Sequence, residues 1–493
     1  MKKLKNFVLS KSQSLVSILA LVLIFFIPLY PKFPSIEIAN TYVRIRLEDF
    51  LVAFTYFISL PLIWENRKKF LKNNIFQAVI LYWLVGFISL ISAIFITRLI
   101  YPHIVLLHFL RRIEYMGLFF IGFLAVRKKK DLPPIAIGFA LMLILVTIYG
   151  LGQKFFNLPV VSTMNAEFSK GTLLNLNRWT RISATFGGHY DLAAFLSLLM
   201  PIILAIFFIV NKKKKIATII IFIFAYYLLI LTASRTSFAA YLGAVLLLLF
   251  FLHKKWWIVP IIILSLIGSA FSQDINQRFS ATIKYDLPRL TNTINYKLSN
   301  LWPGKEYQPK KIAVVTPLSP EKETEIAKVI SPKSTNLISF TIPSPTPKPR
   351  TQKEDTELGV QRSGGIRFGV EWPRAWRHFK KNPLLGTGYS SLGLATDNDY
   401  LRALGETGLL GLLAFINIFI QLAIFFFKKS KNYLVKYQQY LMAGIVCATL
   451  AMLANGLFID VFEASKVAFI YWLVLGISLK AITLKKGNAL EKN

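Results

Sequence analysis

The chain has 493 residues, of which 55% are hydrophobic and 14% aromatic; its mean hydropathy is +0.53 and its formal net charge +34. That balance excludes an ordinary soluble enzyme of this length. A charge of this size in a soluble protein would point to nucleic acid, but its placement along this chain excludes that partner as well.

Apolar runs of about 17–25 residues, the length that crosses ~30 Å of hydrocarbon, recur along the sequence. Twelve are predicted as helical spans, at 12–30, 48–64, 75–97, 104–126, 133–152, 191–210, 215–233, 236–252, 256–272, 405–427, 437–457 and 466–482. The reading is an all-α membrane protein. The first span follows "MKKLKNFVLSK", the outline of a signal peptide, yet "FFIPLYPKFPS" offers no small-residue cleavage site, so an uncleaved span is expected. Segments that alternate with the N-terminus are rich in cations: "ENRKKFLKN", "VRKKKD", "NKKKK", "HKK", "KKSKNYLVK" and the tail "KAITLKKGNALEKN". With the N-terminal segment they hold 26 of the 58 lysines and arginines. This is the positive-inside pattern, and it predicts both termini in the cytoplasm of a multi-pass cytoplasmic-membrane protein. The charge is a topology signal first, and the bilayer the first partner.

Three regions are expected: a nine-span membrane region at 1–272 with an outer loop at 153–190, an extracytoplasmic loop at 273–404, and a three-span region at 405–493. The large loop opens with an amphipathic stretch suited to the membrane surface. A Pro/Ser/Thr/Lys-rich insert follows at about 303–364, expected to lack fixed structure. The loop closes with "GGIRFGVEWPRAWRHFKKNPLLGTGYSSLGLATDNDYL", which regains tryptophan and glycine and is expected to pack near the membrane. Cys447 is the single cysteine, so no intramolecular disulfide forms. The sequence spells no zinc-type cluster, P-loop, GxSxG, HExxH or Rossmann fingerprint.

Charged groups at membrane depth are costly and mark candidate sites. In "LLHFLRRIEYMGLFF", Arg111, Arg112 and Glu114 form either an anion-binding cavity wall or an internal Arg–Glu pair. In "LILTASRTSFAAYLG", Arg235 sits at a tight turn; its fork suits phosphate, and the alternative is snorkelling to headgroups. In "RWTRISATFGGHYDLAAF", Arg178 and Arg181 suit an anion and His189 with Asp191 suits a base; the alternative is a polar helix start capped by Asp191. In "TDNDYLRALGETG", Asp397 stands where a helix is expected to start. Capping by Thr396 or Asp397 is the structural reading. The Asp397-Asn398-Asp399 spelling alone is a weak pointer to a divalent cation.

The stretch "NPLLGTGYSSLGLATDNDYLRALGETGLLGLL" resembles the carboxyl-terminal signature of O-antigen ligases and O-antigen polymerases. That signature is a Pro-Leu-x-Gly-x-Gly turn, then His-Asn-x-x-Leu, a glycine seven residues later and an apolar helix. Pro383, Gly386, Gly388, Asn398, Leu401 and Gly408 match it, and Asp397 stands in the histidine position. "LTASRTS" resembles the family's Ser-Arg turn, and "RISATFGGHYDLAAFLSLLMP" its segment before the sixth span. The resemblance implies a GT-C-like architecture and transfer of a glycan from a polyprenyl-diphosphate donor to a glycan or glycolipid acceptor, without nucleotide, cofactor or metal. Carried onto this chain, it implies diphosphate binding by Arg235 and Arg181, with Arg111 or Arg112 from below. Asp397 or His189 would be the base, with Asn398 and Tyr400 orienting the acceptor. A lipid-linked oligosaccharide flippase or other transporter, and a scaffold that binds cell-wall polymer, are the rival classes. No internal repeat of the transporter kind is visible.

Overall fold

The computed structural model describes residues 2–271 except 42, 164–167 and 176–180; residues 277, 280 and 283; and residues 364–484 except 394 and 431–433. The 303–363 part of the insert, most of the surface stretch before it, Arg178 and the tail beyond 484 lie outside them.

The described chain is helical, with two short antiparallel strand pairs, β1 (Pro34–Ile36) with β2 (Ile45–Arg46) and β3 (Val160–Val161) with β4 (Leu173–Leu174). The helices are α1 (Lys2–Leu29), α2 (Leu47–Leu71), α3 (Asn74–Ser92), α4 (Pro102–Ala125), α5 (Leu132–Phe155), α6 (His189–Ile209), α7 (Lys212–Leu231), α8 (Arg235–Phe251), α9 (Ile258–Phe271), α10 (Trp372–Lys381), α11 (Asp399–Ser430), α12 (Lys436–Asn455) and α13 (Ser465–Thr483). Among the described residues nine helices are long and apolar enough to cross a membrane. Two further apolar helices, over 235–251 and 255–270, are shorter. α4 is as long as its neighbours but carries Arg111, Arg112 and Glu114. This is an all-α, multi-pass membrane architecture.

Local chemistry sets the helix ends. Asn73 accepts the Ile75 N–H at the start of α3, Asn211 accepts the Lys214 N–H at the start of α7, and Pro102 opens α4, where its missing N–H is harmless. A π-helical turn, Ala93–Thr97, closes α3. Phe50, Phe54, Phe57 and Trp64 of α2 point outward, as side chains solvated by lipid do.

α13 is the most enclosed span, 89% buried. It lies along α4, and two glycines permit the approach. A Cβ on Gly122 would strike the Leu473 carbonyl, and one on Gly476 the Phe119 carbonyl. Without water-driven association between spans, such close backbone contact is a main source of packing energy. α12 packs against α6 and α8, and α11 against α3.

Two compact units are formed, one of residues 1–275 with 372–493 and one of residues 276–371. The second contains a π-helical turn at Arg367–Glu371. Trp372 onward, placed by sequence in the outer loop, belongs to the helical unit.

Candidate functional site

The glycine-rich signature has a mechanical meaning. α11 is broken at Gly408 (φ 70°, ψ −169°), so its hydrogen-bond ladder is interrupted there. The 383–388 segment is spliced into the gap. Leu409 N–H donates to the Pro383 carbonyl at 2.8 Å and Leu410 N–H to Leu384 at 3.2 Å. In return, Thr387 N–H donates to the Gly405 carbonyl at 3.1 Å and Gly388 N–H to Glu406 at 2.8 Å. Groups orphaned by the break are thus satisfied from both sides.

The same helix begins earlier than its apolar run. Sequence placed the span at 405–427 and the cap at Thr396 or Asp397; α11 starts at Asp399, and its cap is Asn398. The Asn398 side chain accepts the Leu401 N–H at 2.9 Å and donates to the Leu457 carbonyl at 3.0 Å. The Tyr400 hydroxyl donates to the Leu453 carbonyl at 2.8 Å. Both polar groups hold the turn onto the end of α12. Asp397 is half-buried and has a left-handed backbone (φ 50°), which aspartate tolerates better than most residues.

Asp460, which sequence missed, organises this turn. Its carboxylate accepts the N–H groups of Thr396, Asp397 and Asn398 at 2.8, 3.1 and 3.1 Å. It also accepts from Arg402 at 2.8 Å. Burial would raise its pKa, but Arg402 and the backbone donors hold it below the ordinary carboxylate value. Asp399 reciprocates by accepting the N–H groups of Val461 and Phe462 at 2.9 and 3.3 Å.

Arg402 also pairs with Glu406 at 3.1 Å, and Arg112 with Glu463 and with Glu406, the latter at 3.8 Å. Tyr82, Arg112, Tyr389, Asp399, Arg402 and Glu406 line a cavity of about 30 Å³, enough for a water or two. Arg111 faces elsewhere. It donates to the Arg44 carbonyl at 2.8 Å, the Tyr115 hydroxyl at 3.1 Å and the Asp49 carboxylate at 3.3 Å. Neither arginine is set out as an anion-binding wall. Both pair with carboxylates from other segments, and Glu114 also acts on Arg111, as an internal-pair arrangement requires.

A second cluster gathers at the start of α6. Arg181 approaches the Nε2 of His189 at 2.5 Å. A guanidinium only donates, so that nitrogen is the acceptor in this contact. Asp191 lies in the first turn of α6, whose cap position is Gly188, and pairs with Lys32 at 3.6 Å. Burial pushes the Lys32 ammonium down from its ordinary value, with Asp191 opposing. Lys466, fully buried and missed by the sequence reading, donates to the carbonyls of Pro28, Tyr30 and Thr185 at 3.1, 2.6 and 2.7 Å. It ties α13 to α1 and to the loop before His189.

The three sequence motifs converge. Arg235 is the first residue of α8, half-buried, next to Ser234 and Ser237. Ser237 donates to Asn455 at 2.7 Å, and Asn455 donates to Ser197 of α6 at 2.9 Å. The next carbonyl, Gly456, accepts the Asp399 N–H at 2.9 Å. Ile182, beside Arg181, donates to the Leu231 carbonyl at the end of α7. The 396–399 turn and the Arg235 turn therefore meet at the end of α12, and the Arg181 segment joins them at the α7–α8 turn. Among the described residues no group of three or more His, Cys, Asp or Glu side chains is arranged to hold a metal.

The sequence matches no protein-family model and no curated protein. Arg402 and Glu406 could have been found from their helical spacing inside the signature, and Lys466 as a charge opening an apolar run. Asp460 had no such signal, because its partners lie far away in sequence.

Proposed function

We propose that the chain is an inverting glycosyltransferase of O-antigen ligase or polymerase type, with twelve spans and both termini in the cytoplasm. It moves a glycan from a polyprenyl-diphosphate carrier to a hydroxyl acceptor at the outer face of the cytoplasmic membrane. The observation that carries this reading is the convergence of the Arg235, Arg181–His189 and 396–399 segments around the ends of α7 and α12. All three carry residues of the resemblance, and all three lie at one end of the bundle rather than at its middle.

In this mechanism the acceptor oxygen attacks the anomeric carbon, the carbon–oxygen bond to the diphosphate breaks, and the hydroxyl proton passes to a protein base. Arg235 and Arg181 stabilise the charge that grows on the leaving diphosphate, an effect that is strong in a poorly hydrated site. Arg111 and Arg112 keep the helices in register through their carboxylate partners. Asp397 is the proposed base. His189, beside Arg181, is the second candidate.

The test is transfer from a polyprenyl-diphosphate oligosaccharide in proteoliposomes, across a panel of acceptors, for wild type, Arg235→Ala, Asp397→Asn and His189→Ala. Arg235→Ala is expected to lose transfer about a hundredfold or more with membrane insertion intact. Near-wild-type transfer in that variant removes the diphosphate role. Movement of labelled substrate with no new glycosidic bond makes the chain a transporter.

A further inference from the structure

α10 is a cationic helix at the end of the bundle away from the other lysine clusters. The lysine and arginine clusters that close α2 and α11 and open α7 lie at one end: Lys68 and Lys69, Lys428 and Lys429, and Lys212 to Lys215. α10 lies at the other, because it packs on α11 near the Asp399 start and leads into the segment spliced at Gly408. α10 spells Trp-Pro-Arg-Ala-Trp-Arg-His-Phe-Lys-Lys.

Its faces are sorted. Ala375 is buried against the protein, and Phe379 is half-buried. Arg374 donates to the Ala395 carbonyl at 2.7 Å, and His378 hydrogen-bonds the Thr387 hydroxyl at 2.9 Å. The outward sector holds Arg377, Lys380 and Lys381, all exposed, with Trp376 on its border at 47% exposure. Among the described residues no carboxylate pairs with these three cations.

The level of the helix follows from its contacts. Asn382, just past α10, donates to Ser92 at 3.1 Å, and Ser92 is the last residue of α3. With its closing π turn, α3 forms an apolar span of 24 residues, Asn74–Thr97, enough to cross the ~30 Å hydrocarbon layer. Ser92 lies about one helical turn short of the span's end at Thr97, so Lys380 and Lys381 stand within snorkelling reach of the headgroup boundary. Leu384, 60% exposed, and Phe95 and Ile96, 65% and 73% exposed, form an apolar fringe there. Cations over a tryptophan and an aliphatic fringe are the composition of a helix lying in the interface.

We propose that α10 binds the headgroups of anionic phospholipids through Arg377, Lys380 and Lys381, with Trp376 seated at the headgroup–acyl boundary. Through Arg374 and His378 the bound helix steadies the 385–399 turn. This inference is independent of the glycosyltransferase reading.

The test uses the full chain in neutral detergent, with Cys447→Ser to clear the background and an environment-sensitive fluorophore on Leu384→Cys. It is titrated with short-chain phosphatidylglycerol, short-chain phosphatidylcholine or inorganic phosphate. Phosphatidylglycerol alone is expected to shift the emission. At about a fivefold effect per cation, R377Q/K380Q/K381Q should raise the half-maximal concentration on the order of a hundredfold. R377K/K380R/K381R should keep it. If the glutamine variant does not fold, the lysine–arginine exchange decides the matter through its salt dependence, which should match wild type. An equal response to phosphatidylcholine, an equal response to inorganic phosphate, or an undiminished response in the glutamine variant overturns the proposal.

Discussion

Gly386 and Gly408 lie backbone against backbone: a Cβ built on either would fall under 3.0 Å from the amide nitrogen of the other. Both have positive φ, 69° and 70°. The paired glycines let the 383–388 segment enter the break in α11.

Gly408→Ala is therefore expected to be costly in itself. Its backbone region is almost confined to glycine, and a side chain there costs about 1–3 kcal/mol before the clash with the Leu384 carbonyl is counted. Gly386→Ala should act on the same contact, so the double variant should melt well above the sum of the two losses. Thermal melting in detergent measures this; wild-type melting of Gly408→Ala would sink the account.

Arg402 is shared by Asp460 and Glu406. Arg402→Leu takes the nearest cation from two buried carboxylates, leaving Glu406 the more distant Arg112 and Asp460 its backbone donors, and should lower stability by about 3–5 kcal/mol. Arg402→Leu combined with Glu406→Gln and Asp460→Asn should recover part of that loss. If the triple variant is no more stable than Arg402→Leu, the ion pairs are not the reason for the cost.

Asp460 gives a pH signature. Its folded pKa lies below its ordinary 3.8, so its contribution is complete above about that value and is lost as pH falls through it toward the lower folded value. Wild type should lose stability in that window, and Asp460→Asn should show a flatter acid limb from a lower plateau. His378 behaves alike in a higher window. Burial and the cations Lys381, Arg374 and Arg377 hold its pKa below 6.5, so the unfolded chain takes up the proton first and stability falls as pH drops below about 6.5. His378→Gln should remove that upper step alone.

Lys466→Met should loosen the loop before His189. It leaves three carbonyls without their shared donor, at about 1–3 kcal/mol for each one that finds no other partner. Hydrogen exchange should rise first in residues 181–188 and in the chain after α1. Exchange confined to α13 would mean the lysine serves its own helix only.

Sequence by itself determined the membrane class and each of the helices expected as spans, because hydrocarbon length and apolar runs are local properties. It also picked out the Arg235, Arg181–His189 and 396–399 stretches, since polar groups stand out against an apolar background. Only the tertiary structure decided their partners. The cap moved from Thr396 or Asp397 to Asn398 because α11 starts at Asp399. Arg111 and Arg112, adjacent in sequence, turned to different carboxylates because neighbouring helical positions point about 100° apart. Asp460 and Lys466 acquired their roles from backbone groups that folding brings from remote segments, and no local pattern records such a meeting.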